Sequence, residues 1–147
     1  MAFRIFVLDS ITKARAEFIK KKNYFPFSAF IWNKKPPETV KGILGENVTL
    51  EWRFSLVPAN ERFDYFLLLR NGDDMIKYSH DVGVVIYSNF IGSVGMATNR
   101  TPAFTLINLQ QNDDKAEFCC KVGTKGTGAS PGNLHKDCVT LKLLGKT

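Results

Sequence analysis

The chain has 147 residues, 44% hydrophobic and 23% charged, which suits one core-bearing domain with an appendage rather than two domains. Its 20 Lys and Arg against 14 Asp and Glu give a net charge of +6 at pH 7, an average that suggests an anionic partner. No apolar run approaches the roughly 18 residues that a membrane-crossing helix needs, and two His with three Cys leave most metal and nucleophile chemistries without their groups.

That charge is unevenly placed. Residues 1–41 carry nine basic and three acidic side chains, whereas residues 42–147 carry eleven of each. In the first segment Ile11, Ala14, Phe18 and Ile19 recur at helical spacing. Ser10 stands where a cap belongs, and Lys20, Lys21 and Lys22 favour a helix C-terminus, so the pattern predicts a helix. The Lys triplet reads as a solvated helix end. Aromatic rings are not interleaved with it as stacking platforms for nucleic acid, so no nucleic-acid partner is expected. Phe3 to Leu8 is apolar but too short and badly flanked for a secretory leader. Phe25 to Trp32 is aromatic and apolar, and Lys34-Lys35-Pro36-Pro37 closes the segment, since two prolines are stiff and break elements. The division expected is an extension at 1–35 and a body at 36–147. A charged helix joined to a neutral body suggests that residues 1–35 are not the native leader.

Beyond Glu38 the period changes to two. Val48, Leu50, Trp52 and Phe54 alternate with Thr49, Glu51 and Arg53, the cleanest half-buried strand in the chain. Tyr65 to Leu69 reads as a more buried strand, stopped by the hairpin dipeptide Asn71-Gly72. Short strands follow at Met75 to Tyr78, Val82 to Tyr87 and Phe90 to Met96. Phe104 to Leu109, Ala116 to Val122 and Cys138 to Leu144 complete the series. Such spacing, without a convincing helix between, predicts an all-β antiparallel sandwich.

These residues also resemble a known family. Gly45-Glu46-Asn47-Val48-Thr49-Leu50-Glu51-Trp52 is similar to strand B of an immunoglobulin variable-type (V-set) domain, with Trp52 where the first core Cys would stand. Asp114-Lys115-Ala116-Glu117-Phe118-Cys119-Cys120 is similar to strand F, with Phe118 at the tyrosine-corner position and Cys120 as the second core Cys. Leu68 to Gly72 resembles the end of strand C, with Leu68 replacing its Trp. The resemblance implies an immunoglobulin-like β-sandwich over about residues 36–144, with Trp52, Leu68, Phe118 and Cys120 in its core. Trp52 could fill the space of both the missing disulfide and the missing Trp. Variable-type domains lacking the strand-B Cys and the strand-C Trp resemble those of the allorecognition receptors of colonial cnidarians.

In this fold strands F and G are antiparallel neighbours. If Ala116, Phe118 and Cys120 face the core, Cys119 faces outward. If Val139, Leu141 and Leu143 face the core, so does Cys138 face outward. A hairpin pairing 119 with 138 has its tip near 128–129, inside a Gly-rich loop, so the expectation is a Cys119–Cys138 disulfide with Cys120 a buried thiol. Closing such a loop is worth on the order of 3 kcal/mol. Three reduced cysteines are the alternative. Three Cys without paired spacing and with distant His make no tetrahedral metal set.

Asn47-Val48-Thr49 and Asn99-Arg100-Thr101 match the glycosylation pattern, marking Asn47 and Asn99. His80 and His135 are the only imidazole bases, neither placed to activate a Cys, and the Asp pairs at 73–74 and 113–114 fall in turns. No enzyme, cofactor, metal or small-molecule substrate is therefore expected. The resemblance implies instead an extracellular, cell-surface recognition and adhesion domain. Its partner would be a protein, including a related receptor or a second copy of the same chain. Membrane attachment would come only through sequence beyond this chain. The rival reading is a soluble immune-type or scaffold module for a non-self or intracellular ligand. The expected contact surface is the sheet with strands C and F, through Tyr65, Leu67, Leu69, Lys77, Lys121, Lys125 and His135. Leu67 and Leu69 give strand C an apolar outer face, which marks either an interface or a strand covered by Phe25 to Trp32.

Overall fold

The structure, a computed structural model, describes residues 2–5, 19–20, 30–56, 61–98, 101–126 and 132–145. In chain order the strands are β1 (Ala2–Ile5), β2 (Ile19–Lys20), β3 (Ile31–Lys34), β4 (Thr39–Ile43), β5 (Val48–Glu51), β6 (Arg53–Ser55) and β7 (Glu61–Arg70). They continue as β8 (Asp73–Ser79), β9 (Gly83–Ile86), β10 (Val94–Met96), β11 (Ala103–Leu106), β12 (Glu117–Gly126) and β13 (Leu134–Leu144). The only helical turns among the described residues are the short 3-10 segments Ser88–Phe90 and Gln111–Asp113. Of the helix expected near the N-terminus, Ile19–Lys20 is instead extended and pairs antiparallel with β1. The rest of that expected helix lies outside the described residues.

Six strands form the larger sheet, in the order β4-β13-β12-β7-β8-β9. Only β4 and β13 run parallel within it. A three-stranded sheet, β10-β11-β5, packs opposite, and β3 pairs with β6. The alternating run around Trp52 is split at that residue. Before it β5 pairs with β11, after it β6 pairs with β3, and between them the Trp52 N–H donates to the Pro102 carbonyl at 2.9 Å. The change of partner is how one strand serves both pairs. Because β3 pairs with β6, and Phe30 and Trp32 pack on the core, the folded body includes residues 30–34 as well as those beyond 36. Phe30 and Trp32 therefore pack on the core rather than on the outside of β7; Phe25 to Ala29 lie outside the described residues.

Alternation decides what is buried. Phe66 and Leu68 of β7, Phe118, Cys120 and Val122 of β12, and Val139 and Leu141 of β13 point inward, meeting Leu50, Trp52, Phe104 and Leu106 from the opposite side. Gly42 sits where any side chain would strike Leu109, so β4 can lie close on the core. The β7–β8 hairpin turns through Asn71 and Gly72, both with positive φ (48° and 88°), as that dipeptide demands. Asn71 Oδ1 also accepts from the Glu117 N–H at 2.8 Å. Arg70 Nε donates to Asp113 Oδ1 at 3.2 Å and its Nη2 to the Asn112 carbonyl at 2.6 Å, which ties β7 to the turn before β12. Asp114 Oδ1 accepts from the Leu143 N–H at 2.8 Å and holds the next corner.

Candidate functional site

The inward set of the six-stranded sheet fixes its outward set. With Cys120 and Val122 inside, Cys119, Lys121 and Gly123 face out; with Val139 and Leu141 inside, Lys136, Cys138, Thr140 and Lys142 face out. Cys119 stands directly opposite Cys138, with Cα atoms 4.0 Å apart, and the two form a disulfide. Leu67 and Leu69 lie beside it, flanked by Tyr65 and Tyr87.

The apolar strip expected here is not exposed. Leu67 is 8% and Leu69 6% accessible, because the sulfur bridge and the neighbouring rings cover them. They form a floor rather than a contact surface. Tyr65 is opposite Gly123, and a side chain at Gly123 would collide with the Tyr65 ring, so the ring lies flat across β12. Lys77 Nζ sits 4.7 Å from that ring's centroid, within cation–π range. Tyr65 is thus held between a glycine backbone and an ammonium group.

Around this floor the polar positions are mainly lysines. Lys77 and Lys121 are central, Lys136 and Lys142 come from β13, and Lys41 comes from β4 next to Lys142. Two carboxylates, Glu117 and Asp74, share the face. None of the five lysines has an ion-pair partner among the described residues. Residues 42–147 hold as many acids as bases, yet four of their lysines together with Lys41 make this face positive.

Two residues expected on this surface lie apart from it. His135 is opposite the buried Val122, so it points inward, and its ring stacks on Phe30 at 3.9 Å. Lys125 is at the far end of β12, beyond the bulge after Gly123, and reaches Asp64 at 3.7 Å. The loop tip at 127–131 lies outside the described residues.

Trp52, Leu68, Phe118 and Cys120 are all essentially inaccessible. Trp52 Nε1 donates to Asp137 Oδ2 at 2.8 Å, and Lys35 Nζ lies 3.7 Å from the other carboxylate oxygen. Sequence reasoning passed over Asp137. Its signal was an acid at an inward position of β13, where a half-buried carboxylate favours a donor. Burial, and then the nearby Asp137 charge, pushes the Cys120 thiol far above its ordinary range, so it is an inert core group. Glu117 lies close to Cys119 and Cys138, but both sulfurs are committed to the disulfide, which leaves one carboxylate for any cation. Exposed Asn47 accepts through Oδ1 from the Asn108 N–H at 2.9 Å; Asn99 lies outside the described residues.

No family model and no curated protein matches the chain. Solved structures do. Murine CRIg superposes with a TM-score of 0.63 at 15% identity, covering 78% of this chain and 98% of that one. The two tandem V-type regions of VCBP3, a V-region-containing chitin-binding protein, give 0.61 at 19%, covering 82% of this chain and 53% of that one. The V domain of amphioxus IgVJ-C2 gives 0.51 at 16%, covering 71% and 97%. At these identities the likeness is one of fold.

Proposed function

Taking a V-type immunoglobulin domain as the premise, we propose that this chain is a protein-recognition domain whose contact surface is the outward face of the six-stranded sheet. The observation that carries the reading is the ring of five lysines, unpaired among the described residues, around the floor of Leu67, Leu69 and the Cys119–Cys138 bridge. The floor is buried and holds these strands rigid, so the lysines around it are the groups that a partner meets. The net sign selects an acidic partner surface and speeds encounter at low salt. A second copy meeting through this same face would set lysines against lysines, so the partner here is a different protein. Its compartment is extracellular or cell-surface, where a disulfide persists and where Asn47 can carry a glycan. Recognition of self and non-self, as in the cnidarian receptors that the sequence resembles, is the role that fits such a surface.

The test is binding of bead-displayed chain to cells at graded salt. Lys121→Glu with Lys136→Glu abolishes it, Lys125→Glu does not, and wild-type binding falls as salt rises. Equal binding by the double variant and the wild type would overturn the reading.

A further inference from the structure

The six-stranded sheet ends at β9, whose segment Val82-Gly83-Val84-Val85-Ile86 has neither charge nor proline. Val82 is 72% exposed, Val84 47% and Val85 38%. The Tyr87 N–H donates to the Met75 carbonyl at 2.9 Å. Bonded pairs alternate along an antiparallel ladder, so Val85 and Gly83 also bond toward β8. The backbone groups of Val84 and Ile86 then point to the open edge, and none has a partner among the described residues.

Other edges are guarded. β4 presents Lys41 and follows Pro36-Pro37, β10 is only three residues long, and β5 carries Glu51 bridged to Lys34 and Arg53. Lysine, proline and brevity are the ordinary means of keeping edges from pairing. β9 is also short, at four residues, but has neither lysine nor proline.

We infer that β9 pairs antiparallel with β9 of a second copy of this chain across a two-fold axis at Val84. The open backbone groups are a template for a strand, and the side chains suit this strand itself. With Val84 facing Val84, Val82 faces Ile86 of the second copy and Gly83 faces its Val85. Asp81 then meets Tyr87, so no like charges are opposed. The contact is closed, because each copy spends the β9 edge of its six-stranded sheet and the outer edges of the joined sheet are the guarded β4 strands. It does not use the lysine face and does not depend on the reading of that face.

The experiment is sedimentation of the whole chain over a concentration series, with three variants. Wild type forms a concentration-dependent dimer. Val84→Lys, and separately Val84→Pro, which removes an outward N–H but no bond within the sheet, weaken dimerisation by about tenfold or more at an unchanged unfolding midpoint. Val84→Cys cross-links between copies under mild oxidation faster than Val82→Cys, since only position 84 faces itself. A wild type that stays monomeric, a folded Val84 variant that dimerises as wild type does, or cross-linking no faster at 84 than at 82 overturns the inference. Lys121→Glu leaves the dimer intact; its loss in that variant would place the contact on the lysine face and likewise overturn it.

Discussion

Trp52 and Asp137 join the two layers of the sandwich by one hydrogen bond, 2.8 Å from indole Nε1 to carboxylate Oδ2. Trp52 belongs to the strand run shared by β5 and β6, Asp137 to β13 of the larger sheet, and they lie far apart in sequence. The indole is fully buried between the layers, and its N–H finds an acceptor on the facing sheet. A directional polar contact thus joins the two layers, while the disulfide lies within one of them.

Removing the carboxylate leaves the buried Trp52 N–H without its acceptor, whereas Asp137, half-buried and beside Lys35, keeps a partner when the indole is lost. Asp137→Ala costs about 1–3 kcal/mol, and Trp52→Phe a similar amount through the lost donor and lost volume. Asp137→Asn retains an acceptor and loses less than Asp137→Ala. Urea unfolding midpoints, followed by tryptophan emission, rank the three.

Reduction of Cys119–Cys138 releases a loop of 19 residues' separation. The loss is about 3 kcal/mol by loop entropy. It appears as a lower denaturation midpoint with reductant, and Cys119→Ser with Cys138→Ser reproduces it without reductant.

Cys120 remains silent toward thiol reagents in the folded chain, because it is inaccessible and its ionisation is suppressed. One thiol reacts after unfolding without reductant. The folded state keeps this proton when the unfolded state has released it, so stability falls as pH rises above about 8.5, the ordinary thiol value. The slope approaches about 1.4 kcal/mol per pH unit. Cys120→Ala flattens it, as unfolding measured across that alkaline range will show.

Gly123→Ala drives a methyl group into the Tyr65 ring. Displacing the ring costs about 1–3 kcal/mol of overpacking, separates it from Lys77, and weakens partner binding in the salt-graded cell assay. Tyr65→Ala made together with Gly123→Ala restores the stability that the steric clash removes, which thermal unfolding of the pair checks.

Much of this was legible in the residues. The period-two pattern carries the sandwich, and Asn71-Gly72 its sharpest hairpin. Inside-outside alternation in β12 and β13, with the neighbour relation that the fold supplies, pairs Cys119 with Cys138. What alternation cannot express is lateral cover. Leu67 and Leu69 read as an exposed strip because nothing local says that a disulfide and two tyrosine rings lie across them. His135 was misplaced for a related reason: its strand begins at Leu134, earlier than its apolar run suggests, so its face follows β13 and not the loop. The lysine face draws on four strands, β4, β8, β12 and β13, brought into one sheet, a fact of topology rather than of spacing.

The parallel pairing of β4 with β13 has a mechanical consequence. Tension applied at the N-terminal end of β4 and the C-terminal end of β13 slides these strands along each other, so the ladder from Thr39–Thr140 to Ile43–Leu144 must yield in shear. Once it has yielded, no covalent bond between the layers halts their separation, since the sulfur bridge joins two neighbours within one sheet. That bridge still withholds the β12–β13 hairpin between the two cysteines from extension, and its reduction lengthens the fully stretched chain by that hairpin.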